Sequence, residues 1–413
     1  MSRRMLPGEE ILHEVNYRSL IEQLRRFSTL KQLYRSDAYR AHQQALFWVL
    51  SVPQPYLLQT ARPRLHDFVR VVQWNIEKGK NFEGLVETFS AHPILRYADL
   101  ILLNEVDYGM ARSGQRHVAR ELGQWLGMHV AFAPAHLELT KGVGDDRSAE
   151  GDNQTALQGN AILSRYPMDQ LRIIDLPTQF EPFEFEEKRF GRRIALVAEV
   201  FINREKLTVV STHLEVRATP RGRAKQMAAL LARLDHVEGP VLIGGDFNTA
   251  IFSRGNRWRT FQSIARLLWA EPAQLKDDLL HPDKDHREPL FDLLRRHGFS
   301  FEAFNTREAT HRASLSELEE NDHLPALLRN WVIRKLRQYD FRLDFKLDWI
   351  AGRQISPLTA DQLTDSHSGI ASISPQTIKH LTYQGRKIAD HDPIVVDIRL
   401  TEVQRHAQES LMS

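Results

Sequence analysis

The stretch Val241-Leu242-Ile243-Gly244-Gly245-Asp246-Phe247-Asn248 begins as an apolar run and ends in a carboxylate and a carboxamide two residues apart. The run reads as a buried strand. Its two glycines, free to take backbone angles closed to other residues, are expected to end it. Where the chain stays extended, a period of two sends Asp246 and Asn248 to the same side. An Asx turn, with both side chains bonding nearby backbone, explains the pair equally well. Recurrence favours chemistry, because other apolar runs end in the same kinds of residue. Residues 68–74 deliver Asn75 and Glu77, 99–103 deliver Glu105, and 207–212 deliver His213. Residues 347–351 carry Asp348, and Asp390-His391 precedes the apolar 394–398. Strand ends are where α/β enzymes place such groups.

Composition sets the bounds. The chain has 413 residues, 42% of them hydrophobic, enough for a sizeable core in one large domain with insertions or in two or three domains. A formal charge of +2 makes no global polycation, so any nucleic-acid footprint must be local. There is no cysteine, which excludes disulfide-linked partners, thiolate nucleophiles and Cys-ligated zinc. The basic start, residues 1–10, lacks the apolar region of a secretory signal, and the apolar run 45–50 is far too short to span a bilayer. A cytoplasmic protein is expected.

Residues 9–50 space Ile11, Val15, Leu20, Leu24, Leu30 and Leu33 as helices do. They read as an N-terminal helical appendage, 1–65, closed by Pro53 and Pro55, that packs on the main domain or binds a partner. Residues 66–402 form the catalytic domain and 403–413 a tail. Within the domain, 137–158 read as a long surface loop and 181–188 as an acidic, aromatic excursion. Residues 256–346 read as a helical insertion. Its 324–339 stretch sets Leu327, Leu328, Trp331 and Leu336 opposite Arg329, Arg334, Lys335 and Arg337, either a solvated face or a basic lid beside an anionic substrate. Periodicity alone supports an α/β fold with many buried strands.

The strand-end residues together are Asn75, Glu77, Glu105, His213, Asp246, Asn248, Asp348, Asp390 and His391. Oxygen donors without thiols suit Mg²⁺ or Mn²⁺ better than Zn²⁺. No His-Glu-x-x-His helix, Gly-x-Ser-x-Gly elbow or P-loop is present. Phosphate-ester hydrolysis needs such a set: a cation on the non-bridging oxygens, a base for water, and donors for the pentavalent charge.

These segments resemble, in order, the motifs of the endonuclease/exonuclease/phosphatase superfamily. They are Gln73-Trp74-Asn75-Ile76-Glu77, Leu103-Asn104-Glu105, Gly159-Asn160-Ala161-Ile162-Leu163-Ser164-Arg165, Ser211-Thr212-His213-Leu214, Gly244-Gly245-Asp246-Phe247-Asn248, Leu347-Asp348-Trp349-Ile350 and Asp390-His391-Asp392-Pro393. The resemblance covers about residues 68–400. It implies a four-layer α-β-β-α sandwich of two mixed sheets and a phosphodiester substrate, nucleic acid among the candidates. It also implies roles. Glu105 is the principal Mg²⁺ ligand, with Asn75, Glu77 and Asp390 beside it. Asp246 orients or deprotonates the attacking water, Asn248 and Asn160 hold the phosphate, His213 binds it or assists the leaving group, and His391 pairs with Asp348. Ala389 stands where many members have Ser, which removes one hydroxyl but no catalytic group. A lipid or inositol phosphate is the rival substrate, and an inactive scaffold on the same fold the rival function. Arg217, Arg221, Arg223 and Lys225 are either a local nucleic-acid contact or a solvated helix start.

Overall fold

In a computed structural model, the described residues are 15–58, 61–65, 67–202, 205–249, 269, 271–314, 334, 342–360 and 369–400. Almost all of the amphipathic 324–339 stretch, and the tail, fall outside them. Alternation along the strands sorts side chains onto opposite faces, and two sheets stack on the shared apolar one. The first sheet runs in spatial order Gln54–Tyr56, His129–Glu138, Leu157–Ser164, Leu100–Tyr108, Val69–Lys78, Ile394–Arg399, Ser356–Pro357. The second runs Asp348–Arg353, Val241–Asp246, Glu205–His213, Arg193–Ile202, Met168–Leu176. Both are mixed. Val69–Lys78 is parallel to Leu100–Tyr108, Val241–Asp246 is parallel to Glu205–His213, and their other neighbours are antiparallel.

Three apolar layers follow. Val71, Leu100, Leu102 and Ile162 of the first sheet meet Leu196, Val209, Leu242 and Ile350 of the second. Outside the first sheet, Val72, Trp74 and Leu103 meet Phe82, Leu85 and Phe89 of helix Phe82–Ala91 and Leu122 of helix Val118–Leu126. Outside the second, Val210 and Ile243 meet Met227, Leu230 and Leu234 of helix Pro220–Leu234 and Phe291 of helix Leu290–Arg296. This is the α-β-β-α sandwich the resemblance implied.

Several local expectations change. The glycines do not end the central strand, which runs Val241–Asp246. Gly245 is required for close approach instead, since a Cβ there would lie 1.8 Å from the Thr212 carbonyl oxygen. Leu20, Leu24, Leu33, Leu46 and Val49 share the apolar layer of Trp74, and Gln54–Tyr56 pairs with the strand edge at Val130–Phe132. The N-terminal helices are therefore packed onto the first sheet. The stretches 137–158 and 181–188 are not free excursions. Phe183 is buried, Asp146 pairs with Lys78 at 2.7 Å, and Arg112 joins Asp107, Asp146 and Glu187. Residues 256–346 are not helical throughout, because His311–Ser314 and Arg342–Phe345 pair as an antiparallel ribbon.

One buried ion pair bolts the last strand to the first sheet. Arg70 donates from Nε and a terminal nitrogen to the two oxygens of Asp397, both at 2.8 Å, with neither side chain more than 1% exposed. Removing one partner leaves the other charge buried and unpaired. Arg70→Met should therefore cost about 3–5 kcal/mol, read as a fall in the denaturant midpoint at constant slope. A midpoint within experimental error of the native one would contradict it.

Candidate active site

The site is the polar continuation of the layer between the sheets. Below it the facing side chains are Val71, Leu102, Val209, Leu242 and Ile350. One or two pleats further along the same faces come Gln73 and Asn75, Asn104, Ser211 and His213, Asp246, and Asp348. The register sets Asp246 opposite His213 on one side and Asp348 on the other. Amides stitch the sheets together here. Asn104 accepts the Asp246 backbone N–H at 2.8 Å and Gln73 Nε2 at 3.1 Å, and donates to Asn160 Oδ1 at 3.1 Å.

Everything converges on Asp246. Its Oδ1 accepts the Asn248 backbone N–H at 2.9 Å, so the Asx turn is real. Its Oδ2 faces three nitrogens: Asn75 Nδ2 at 3.1 Å, His213 Nε2 at 3.6 Å and His391 Nε2 at 3.8 Å. The turn occupies one oxygen of the carboxylate and leaves the other facing the three nitrogens. Asn248 itself, at φ 51°, donates its side chain to the Leu214 carbonyl. Asn160 likewise donates to the Ile194 carbonyl. Both amides are thus engaged by backbone while bordering the site.

On the other side, His391 Nδ1 lies 2.7 Å from Asp348 Oδ2, and Thr310 Oγ1 accepts the Asp348 N–H at 3.0 Å. Against the burial that would lower it, Asp348, Asp390 and Asp246 raise the His391 pKa well above the ordinary value. Burial and the neighbouring Arg193 lower His213 to about 3, so that ring is neutral at physiological pH. Burial and repulsion from Asp348 lift Asp246 to about 7.

Glu105 sits at φ 52°, inside a register shift between the Val69–Lys78 and Leu100–Tyr108 strands. A non-glycine residue held there is a conformation that surrounding structure must enforce. The bulge turns its carboxylate to Asn75, whose Nδ2 donates to Oε1 at 3.2 Å while its Oδ1 accepts the Glu77 N–H at 3.2 Å. Against burial, His213, Lys78 and His391 hold Glu105 down at about 2. Glu77 goes the other way, raised by burial and by the nearby Asp390, with Glu105 adding to it and Lys80 opposing. Charge repulsion from Asp390 and Glu105 thus reaches Glu77, although the ligand atoms of these three carboxylates do not all lie within 4.8 Å of one another.

The sequence profile of the Endonuclease/Exonuclease/phosphatase family matches residues 72–314, more than half of the chain. The chain belongs to this family. The family is one of phosphoric ester hydrolases that generally use a divalent metal. No curated protein matches the chain. Solved structures similar to it include an endonuclease/exonuclease/phosphatase from Beutenbergia cavernae, 15% identical over 81% of this chain and 72% of that one, with a TM-score of 0.45. The human Nocturnin catalytic domain is 16% identical over 85% and 98%, at 0.41. D. rerio TDP2, complexed with a single strand DNA product, is 15% identical over 80% and 99%, also at 0.41.

The structure of this endonuclease/exonuclease/phosphatase family member also shows neighbours that strand patterns do not reveal. A cavity beside Asp246 is lined by Glu105, His136, Gln158, Asn160, Arg193 and His213. The Arg193 guanidinium has no hydrogen-bond or ion-pair partner among the described residues, and its pKa is pressed down by burial and Arg189. Its sequence signal was only a pair of arginines before an apolar strand. A second neighbour, His311, lies against His391 with ring centroids 4.6 Å apart and the planes tilted by 41°. By contrast, the run of basic residues at 217–225 is not one exposed patch. Arg223 is fully buried and paired with Glu288, and Arg217 lies over Phe180 and Phe185. Among the described residues, no helix is long and apolar enough to cross a membrane.

Proposed function

We propose that the protein is a Mg²⁺- or Mn²⁺-dependent phosphodiesterase. The observation that carries this reading is the ring of nitrogens around one oxygen of Asp246. A carboxylate near neutral in pKa takes a proton from water efficiently at physiological pH. Protonated His391, held by Asp348, presents a cation to the charge that develops on the phosphate, and neutral His213 offers a hydrogen bond from the opposite side. Glu105, Glu77 and Asp390 would hold the cation, with Asn75 fixing the Glu105 carboxylate. When bound, it neutralises non-bridging oxygens and lowers the barrier to attack by water. Asn160 and Asn248 border the phosphate site, and their main bonds hold its walls.

Arg193, which lines the cavity and has no hydrogen-bond or ion-pair partner among the described residues, supports an anionic substrate. Arg193→Ala should raise KM for a phosphodiester roughly 10- to 100-fold, the equivalent of one or two charge-assisted hydrogen bonds. Steady-state kinetics with an unaltered KM would remove Arg193 from the substrate site.

The test of the function compares bis-p-nitrophenyl phosphate with p-nitrophenyl phosphate in Mg²⁺, in Mn²⁺ and in EDTA. Diester cleavage that EDTA abolishes is the expected result. Monoester preference would shift the reading to a phosphatase. Absence of both cleavage and metal binding would point to an inactive scaffold. For the natural substrate, DNA binding that weakens steeply with salt would indicate nucleic acid. Binding to anionic liposomes would indicate a lipid or inositol phosphodiester.

A further inference from the structure

We infer that His311, Asp390 and His391 form a second metal site, one for Zn²⁺ or a similar borderline ion, through which such an ion shuts the enzyme off. One ligand atom from each of the three residues lies within 4.8 Å of the others. His311 Nδ1 is 4.0 Å from Asp390 Oδ2. The backbones are locked side by side, because His311 bridges His391 and the Asp392 N–H donates to the Thr310 carbonyl at 2.7 Å. Around a tetrahedral ion with bonds of about 2.0–2.1 Å, ligand atoms sit roughly 3.3 Å apart. Side-chain shifts of about an ångström therefore complete the site.

Two further features point to an ion. Asp390 Oδ1 is buried and has no hydrogen-bond partner among the described residues. His391 is oriented as a metal-binding histidine, with Nδ1 on Asp348 and Nε2 facing Asp246, so that an ion displacing the Nε2 proton completes the carboxylate–histidine–metal arrangement that fixes ligand direction. Two imidazoles and one carboxylate suit Zn²⁺, whereas the all-oxygen group at Glu105 and Glu77 suits Mg²⁺. The two sites share Asp390. An ion on His391 Nε2 occupies the nitrogen that faces Asp246 and draws Asp390 away from the Mg²⁺ ligands. His311 stands on the ribbon His311–Ser314, away from the strand-end motifs, and so supplies the ligand that the motif reading did not contain.

The existence of this site does not depend on the phosphodiesterase reading; its inhibitory effect does. The experiment titrates Zn²⁺ calorimetrically into the full chain in saturating Mg²⁺, for the native protein and for His311→Gln and His311→Ala, with folding checked by circular dichroism. Removing a direct ligand should weaken Zn²⁺ binding roughly a hundredfold or more, since loss of a mere supporting contact already costs 10- to 100-fold. In parallel, micromolar Zn²⁺ should suppress Mg²⁺-supported diester cleavage by the native protein and spare both variants. Equal Zn²⁺ affinity in native and variants, or no binding by the native protein, would overturn the site. Equal Zn²⁺ inhibition of all three would overturn the shut-off. Zn²⁺ binding that requires His311, in a protein that cleaves no diester, would uphold the site and sink the phosphodiesterase instead.

Discussion

Asp246→Asn is expected to lower turnover of a phosphodiester by about 10²–10⁴-fold, the range for removing a positioned general base, while the protein stays folded. Asparagine keeps an oxygen for the Asn248 N–H, and the Asn104 bond is to backbone. The stability of this variant carries its own prediction. Native Asp246 has its pKa raised to about 7, above the ordinary carboxylate value near 4. Its contribution to stability is thus fully present below about pH 4 and lost as pH rises through about 7. The neutral amide escapes that loss. Measured in EDTA at pH 8, melting of Asp246→Asn should occur at or above the native temperature, with the difference shrinking as pH falls below 7. A variant both inactive and clearly less stable at pH 8 would mean that Asp246 is a structural carboxylate. In the native enzyme, kcat/KM should fall on the acid side of about pH 7 as Asp246 takes up its proton.

The sequence made this site legible for a simple geometric reason. Inner-face positions recur every second residue, so Val71, Gln73 and Asn75 on one strand, or Leu242, Gly244 and Asp246 on another, announce where an apolar layer turns polar. The four layers were implied by resemblance, and the three apolar layers of the structure explain why both faces of the central strands are aliphatic. What pattern reading could not reach depends on backbone angles or on contacts between distant segments. Glu105 lies in a register shift at positive φ, and a sequence does not display a bulge. Gly245 looked like a stop, yet it serves a close approach to Thr212 across the sheet. Arg223 looked like surface charge, but Glu288, 65 residues away, buries it. The polar stretches 137–158 and 181–188 looked solvated, and their charges instead pair with Lys78, Arg112 and Arg189.

Glu105→Gln should separate metal holding from proton transfer. Glutamine still accepts the Asn75 amide, so the bulge keeps that contact while the anion is lost. Glu105 is held at about 2 and is therefore ionised at every pH where the enzyme would work. An always-ionised carboxylate suits a cation and makes a poor base near neutral pH. The expected result is a loss of Mn²⁺ affinity of about 10²-fold, at least what loss of a supporting contact costs, with activity partly restored by raising Mn²⁺ or Mg²⁺. Asp246→Asn should show the opposite division, with metal affinity close to native and a turnover that no metal concentration restores. Mn²⁺ binding followed by electron paramagnetic resonance, beside activity against metal concentration, distinguishes the two. Should Glu105→Gln bind Mn²⁺ as the native protein does, the cation belongs elsewhere in the cluster. Two carboxylates joined through the one amide of Asn75 are driven apart in pKa, Glu105 to about 2 and Asp246 to about 7. That separation supports the proposed division into ligand and base, because each environment leaves its carboxylate better suited to one of the two tasks.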